Sequence, residues 1–163
     1  MAVIARLPTG AAVVFRAFGA VDALHIGRRL AAAARERGVT FLVGADEALA
    51  VALQADGVHL PERLLGRLPR LRARHPTWLI TVAAHSRRAL ARARAAGADA
   101  AVLSPVFASR SASAGAPIGA LRAAAWARGA KLPVIALGGV RLKTAKRLRR
   151  TGLVGLAVVE ALT

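Results

Sequence analysis

Pro133-Val134-Ile135-Ala136-Leu137-Gly138-Gly139-Val140 is the stretch that decides how this chain reads. An apolar run follows a proline, and two glycines end it. The pattern predicts a buried strand, a tight turn and a helix that starts near Arg141. Adjacent glycines let the backbone approach a ligand closely and turn N–H groups toward it. A second apolar run, Gly155-Leu156-Ala157-Val158-Val159, follows after one helix. In a parallel α/β barrel the loops after the last two strands form the usual phosphate site. Gly138 and Gly139, with Val158 and Val159 on the neighbouring run, are therefore the phosphate-binding candidates. Backbone amides do that work. The structural alternative is a tight turn with close helix packing.

Outward from this stretch the chain alternates. Helical spacing is predicted over residues 23–37 (opened by Asp22, stopped by Gly38), 46–54, 62–74, 87–96, 118–128 and 141–150. Short apolar strands are predicted over 11–15, 40–43, 56–60, 78–83 and 99–103, besides the two runs above. Strand and helix repeat about seven times, the signature of a parallel sheet with helices outside. A doubly wound sheet fits the same rhythm. The fingerprint G-x-G-x-x-G is absent, which weakens a dinucleotide reading.

The 163 residues suggest one domain, 1–163, with a sizeable core. There is no cysteine, which is compatible with a reducing cytoplasm, the expected location. No apolar run approaches ~18 residues, so no membrane span is expected, and no signal peptide is expected. The net charge is +17, almost all from arginine, so anions are attracted at low salt. The cations of 141–150 wrap around the predicted helix rather than forming a stripe. With no tyrosine and four phenylalanines for stacking, specific nucleic-acid binding is not expected. A solvated outer helix is the plainer reading.

Several polar residues sit at predicted strand ends, where a barrel places its functional groups. Arg16 closes the first strand. His85 and Ser86 follow the strand at 78–83, and His85 is a candidate proton shuttle. Ser86 is equally a candidate N-cap for the next helix. His59 points to the same face, whereas His25 and His75 read as structural or exposed. Ser104, Ser109 and Ser111 belong to a long loop, 104–117, whose small hydroxyl residues could wrap a phosphate; a surface loop is the alternative.

Five of these segments, in order, resemble the thiamine phosphate synthase and thiazole tautomerase family. They are Ala55-Asp56-Gly57-Val58-His59-Leu60, Ala84-His85-Ser86, Leu103-Ser104-Pro105-Val106-Phe107, the opening stretch, and Gly155 to Val159. The resemblance implies a TIM (β/α)8-type barrel without its first strand and most of its first helix, with residues 1–7 as the remnant of that helix. It implies an enzyme that couples a pyrimidine pyrophosphate to a thiazole phosphate. Arg16 would then contact pyrophosphate and His85 would be catalytic. Ser86, Ser104, Ser109, Ser111, Gly138, Gly139, Val158 and Val159 would hold substrate. The family's Mg²⁺ is implied as well, but Gly44-Ala45 and Leu64 stand where its carboxylates belong, and Asp46 and Glu62 could replace them only with a shifted backbone. Phe18 and Ala112 stand where the family has lysines, and Pro105 where the tautomerase has its histidine. These departures keep a second reading open: a tautomerase-like or degenerate phosphate-binding barrel. An incomplete barrel exposes edges, so a homodimer is a further expectation.

Overall fold

Strand β5 (Ala100–Leu103) is buried along all four residues, as a strand covered on both faces must be. It belongs to a set of seven parallel strands in the computed structural model, which describes residues 2–17, 19–109 and 115–159. The others are β1 (Ala12–Phe15), β2 (Thr40–Gly44), β3 (Gly57–Leu60), β4 (Leu79–Ala84), β6 (Val134–Ala136) and β7 (Gly155–Leu156). Their order in the sheet is their order in the chain. Helix α1 (Ala2–Ala5) precedes β1, and α2 (Ala23–Glu36), α3 (Glu47–Ala52), α4 (Leu68–Arg74), α5 (Arg87–Ala95), α6 (Ala120–Ala130) and α7 (Leu142–Ala145) stand between the strands. This is the α/β architecture expected from the alternation.

The chain divides into two units, Met1–Leu60 with Leu71–Ile80, and Pro61–Arg70 with Thr81–Thr163. In the first, β1 pairs with β2 from Ala12↔Thr40 to Phe15↔Val43, and β2 with β3 from Leu42↔Gly57 to Gly44↔His59. Phe41, Leu42, Val43 and Val58 are buried in its core, and Phe15 stacks on Phe41 with ring centroids 6.2 Å apart. Helix α2 turns Gly27, Ala31 and Ala34 inward. A Cβ at Gly27 would lie 2.5 Å from Leu53 Cδ1, so a side chain there would push the Leu53 methyls aside.

In the second unit β4 pairs with β5 (Ala84↔Leu103), β5 with β6 (Leu103↔Ala136) and β6 with β7 (Ala136↔Leu156). The helices meet the strands through small residues: Ala89, Ala93, Ala123, Ala124 and Ala127 are all buried. Alanine keeps helix propensity high while leaving room for the branched strand residues.

Two expected helices change form. Residues 62–74 begin as a 3₁₀ segment, Glu62–Arg67, before α4. Pro69 has no N–H to give the Leu65 carbonyl, so one continuous α-helix cannot run through it. Residues 141–150 are α-helical only over Leu142–Ala145, then 3₁₀ over Lys146–Leu148; Arg149 is extended and Arg150 left-handed at φ 57°. Lys143, Lys146, Arg147 and Arg150 would face one another at three- and four-residue spacing in a longer helix, and like charges there destabilise it. Asp22 precedes α2 but makes no side-chain cap bond.

Candidate functional site

The Gly138–Gly139 turn sits at the end of β6 in the second unit, and its glycines are required by what lies against them. Both have positive φ, 92° and 62°. A Cβ on Gly138 would lie 2.7 Å from Pro105 Cα; one on Gly139 would meet the Ala108 carbonyl and come within 2.8 Å of Phe107 Cβ. The segment after β5 therefore fills the space that side chains would need. It also pairs with the turn: Val106 N–H donates to the Leu137 carbonyl (2.8 Å) and Phe107 N–H to the Gly138 carbonyl (2.9 Å). From the other side, Thr144 Oγ1 donates to the Gly139 carbonyl at 2.9 Å. Among the described residues, the N–H groups of Gly138, Gly139 and Val140 donate to no protein acceptor. Ala157 N–H donates to the Ala136 carbonyl (2.7 Å), which sets residues 157–159 beside the turn. Val158 and Val159 are exposed.

His85 and Ser104 come together at the neighbouring strand ends. His85 Nδ1 lies 2.8 Å from the Ser104 carbonyl oxygen and 3.3 Å from Ser104 Oγ. A carbonyl can only accept, so Nδ1 carries a proton in this bond. The His85 N–H donates to Glu62 Oε2 at 3.1 Å, fixing the backbone at this strand end. Ser86 Oγ accepts the Ala89 N–H at 3.0 Å, the N-cap geometry, so this serine starts α5. Ser109 is half-buried and carries its own interaction, and Ser111 lies outside the described residues.

In the first unit, Arg16 is exposed just after β1, with its Cγ against the backbone of Gly44. A Cβ at Gly44 would stand 3.1 Å from it. His59, one residue before the end of β3, pairs in register with Gly44. Burial, and then the Arg16 charge, lower its pKa to about 4, so it is neutral at pH 7 and cannot act as a general acid there. Ala45, in the place of a family carboxylate, holds φ 62°, a conformation that alanine adopts only at some cost. His25 is exposed on α2; His75 is half-buried, stacks on Trp78 and bonds to Glu47 Oε1 at 2.9 Å.

The carboxylates that could stand in for the family's ligands, and Glu47 next to one of them, are engaged elsewhere. Asp46 Oδ1 caps α3 by accepting the Leu49 N–H (2.9 Å), Glu47 is held by Arg74 and His75, and Glu62 holds His85. Among the described residues no three His, Asp or Glu side chains are grouped to hold an ion. Mg²⁺ needs near-octahedral oxygen ligands, and these residues do not fit it.

Sequence reading missed Thr144, Phe107 and the role of Glu62. Thr144 had a signal, a hydroxyl three residues after Arg141, since it accepts the Arg141 N–H at 2.8 Å as a helix-start residue does. Phe107 had none: its ring lies 5.3 Å under the Arg147 guanidinium, a contact between distant segments.

Fold and site together define a parallel α/β protein with a glycine turn at the end of its penultimate strand, whose amides meet no protein acceptor among the described residues. The thiamine monophosphate synthase family model matches residues 3–162, and the chain belongs to that family. It is 33% identical over 141 residues to the thiamine-phosphate synthase of Roseiflexus sp. (strain RS-1), covering 86% of this chain and 60% of the relative. It is 35% identical over 127 residues to that of Methanoculleus marisnigri, covering 77% and 60%. The chain thus spans about 60% of the length of these relatives. Among solved structures, thiamine phosphate pyrophosphorylase from Pyrococcus furiosus superposes with a TM-score of 0.80 at 23% identity, covering 99% of this chain and 80% of that one. That likeness shows the same fold. No helix among the described residues is long and apolar enough to cross a membrane.

Proposed function

We propose that this chain acts in thiamine phosphate synthesis, holding a thiazole phosphate while a pyrimidine pyrophosphate reacts with it. The observation that carries this reading is the Gly138–Val140 turn: the Gly138 and Gly139 carbonyls are bonded to protein, and among the described residues the three amides are not. The phosphate monoester accepts from the Gly139 and Val140 amides. The ring nitrogen of the thiazole forms a bond to the methylene carbon of the pyrimidine, and the carbon–oxygen bond to pyrophosphate breaks. The departing pyrophosphate gathers negative charge, and Arg16 is the cation we assign to it. His85 offers the Nε2 lone pair to a substrate N–H. Ser104 and Ser109 contribute hydroxyls from the loop after β5. In this reading the seven strands stand for seven of the eight in a (β/α)8 barrel, in a cytoplasmic protein whose exposed Val154, Leu156 and Val159 pair two copies.

A second reading is favoured by the engaged carboxylates: a phosphate-binding relative without synthase activity. The test is direct. Purified protein is mixed with thiazole phosphate and pyrimidine pyrophosphate, and both thiazole phosphate binding and thiamine phosphate formation are measured. Product supports the synthase. Binding without product, at any Mg²⁺ concentration, supports the second reading. Absence of binding refutes both.

A further inference from the structure

We propose that Thr144 is the positioning residue of the anion turn: its hydroxyl fixes the Gly139–Val140 peptide so that the Val140 N–H faces the phosphate. This rests on the phosphate reading of the turn given above. The two glycines make the fixing necessary. Glycine populates both signs of φ at similar energy, so the peptide planes at Gly138, Gly139 and Val140 can rotate cheaply. In a trans peptide the carbonyl and the following N–H point in opposite directions. Whatever holds the Gly138 carbonyl therefore aims the Gly139 N–H, and whatever holds the Gly139 carbonyl aims the Val140 N–H.

The first carbonyl is held by the Phe107 N–H at 2.9 Å, a backbone group that any residue except proline supplies. The second is held by Thr144 Oγ1 at 2.9 Å, so here a side chain decides. The hydroxyl is itself oriented. It accepts the Arg141 N–H at 2.8 Å, and its single hydrogen has the Gly139 carbonyl nearer than the Arg141 carbonyl at 3.2 Å. Thr144 touches no substrate in this scheme; it acts through one peptide plane.

The experiment uses the whole chain and inorganic phosphate as probe, with affinity measured by calorimetry and stability by thermal unfolding. Thr144→Val keeps the shape and removes the hydroxyl, so phosphate binds about tenfold more weakly. Thr144→Ser restores the hydroxyl and binds within about twofold of wild type. Thr151→Val is the stability control: Thr151 Oγ1 donates to the Leu148 carbonyl at 2.6 Å, away from the turn, so Tm falls while phosphate affinity holds. Equal phosphate affinity in Thr144→Val and wild type overturns the proposal, as does a serine variant that fails to rescue. Should the valine variant not fold, the Val140 amide resonance carries the test: it shifts on phosphate addition in wild type and Thr144→Ser, and an unmoved resonance overturns the assignment. A wild type that binds no phosphate refutes the turn as an anion site, a different failure seen before any variant is made.

Discussion

His59 offers the sharpest quantitative test of the first unit. Its imidazole is held at a pKa of about 4, first by burial and then by the Arg16 charge. In the unfolded chain the ring takes its proton near the ordinary histidine value of about 6.5. The unfolded state therefore binds more protons between those values, and the fold loses stability as pH falls through them. Above about pH 6.5 both states carry the neutral ring and the loss vanishes. The full difference is about 3 kcal/mol, of which about 2 kcal/mol falls between pH 7 and pH 5, where carboxylates still carry their charge.

Two measurements follow. An NMR titration of the His59 ring reads the midpoint directly, and Arg16→Gln raises it by less than burial lowers it. Urea unfolding at pH 7 and pH 5 reads the stability change in wild type and in His59→Gln, whose side chain does not titrate. The wild type loses about 2 kcal/mol more than the variant over that range. A ring midpoint near its ordinary value, or equal pH dependence in the two proteins, refutes the reasoning.

Three further outcomes are expected. Gly57→Ala places a Cβ on the backbone of Leu79 and lowers stability by more than about 3 kcal/mol, or leaves no folded protein, as urea unfolding reports. Ala45→Gly relieves the φ of 62° and raises stability by about 1 kcal/mol in the same assay. The second unit carries 17 Lys and Arg against three Asp and Glu. Phosphate association should therefore slow several-fold between about 0.05 and about 0.5 M salt in stopped-flow measurements; a salt-independent rate would mean that this charge does not steer the ligand.

What could be read from residues was whatever depends on neighbours in sequence. The β6 run and its two glycines, and Ser86 before α5, are local patterns with local causes. The over-long helix at 141–150 shows the limit: its six cations registered as a solvated face, although their spacing already argued against a continuous helix. Pro69 was likewise visible inside 62–74. Glu62 could not be placed in advance, because its bond to the His85 backbone joins residues 23 apart. The same holds for Phe107, which reaches Gly139 and Arg147 only through the fold.

The glycine turn shows why position alone does not reveal the cause of a residue. Two glycines at a strand end suggest a ligand, yet the space beside their Cα atoms is taken by Pro105, Phe107 and Ala108. Their lack of side chains is explained by packing, whether or not an anion binds. Substituting Gly139 would therefore be a poor test of binding, since a Cβ there displaces the segment after β5 and carries away the Phe107 bond to Gly138. Loss of phosphate in such a variant would follow under either reading. The amide directions are the separable part. They depend on two carbonyl bonds, one of them from a hydroxyl that can be removed and restored at nearly constant shape. If the turn binds phosphate, affinity follows that hydroxyl; if it is only a packed turn, no Thr144 variant can change an affinity that is not there.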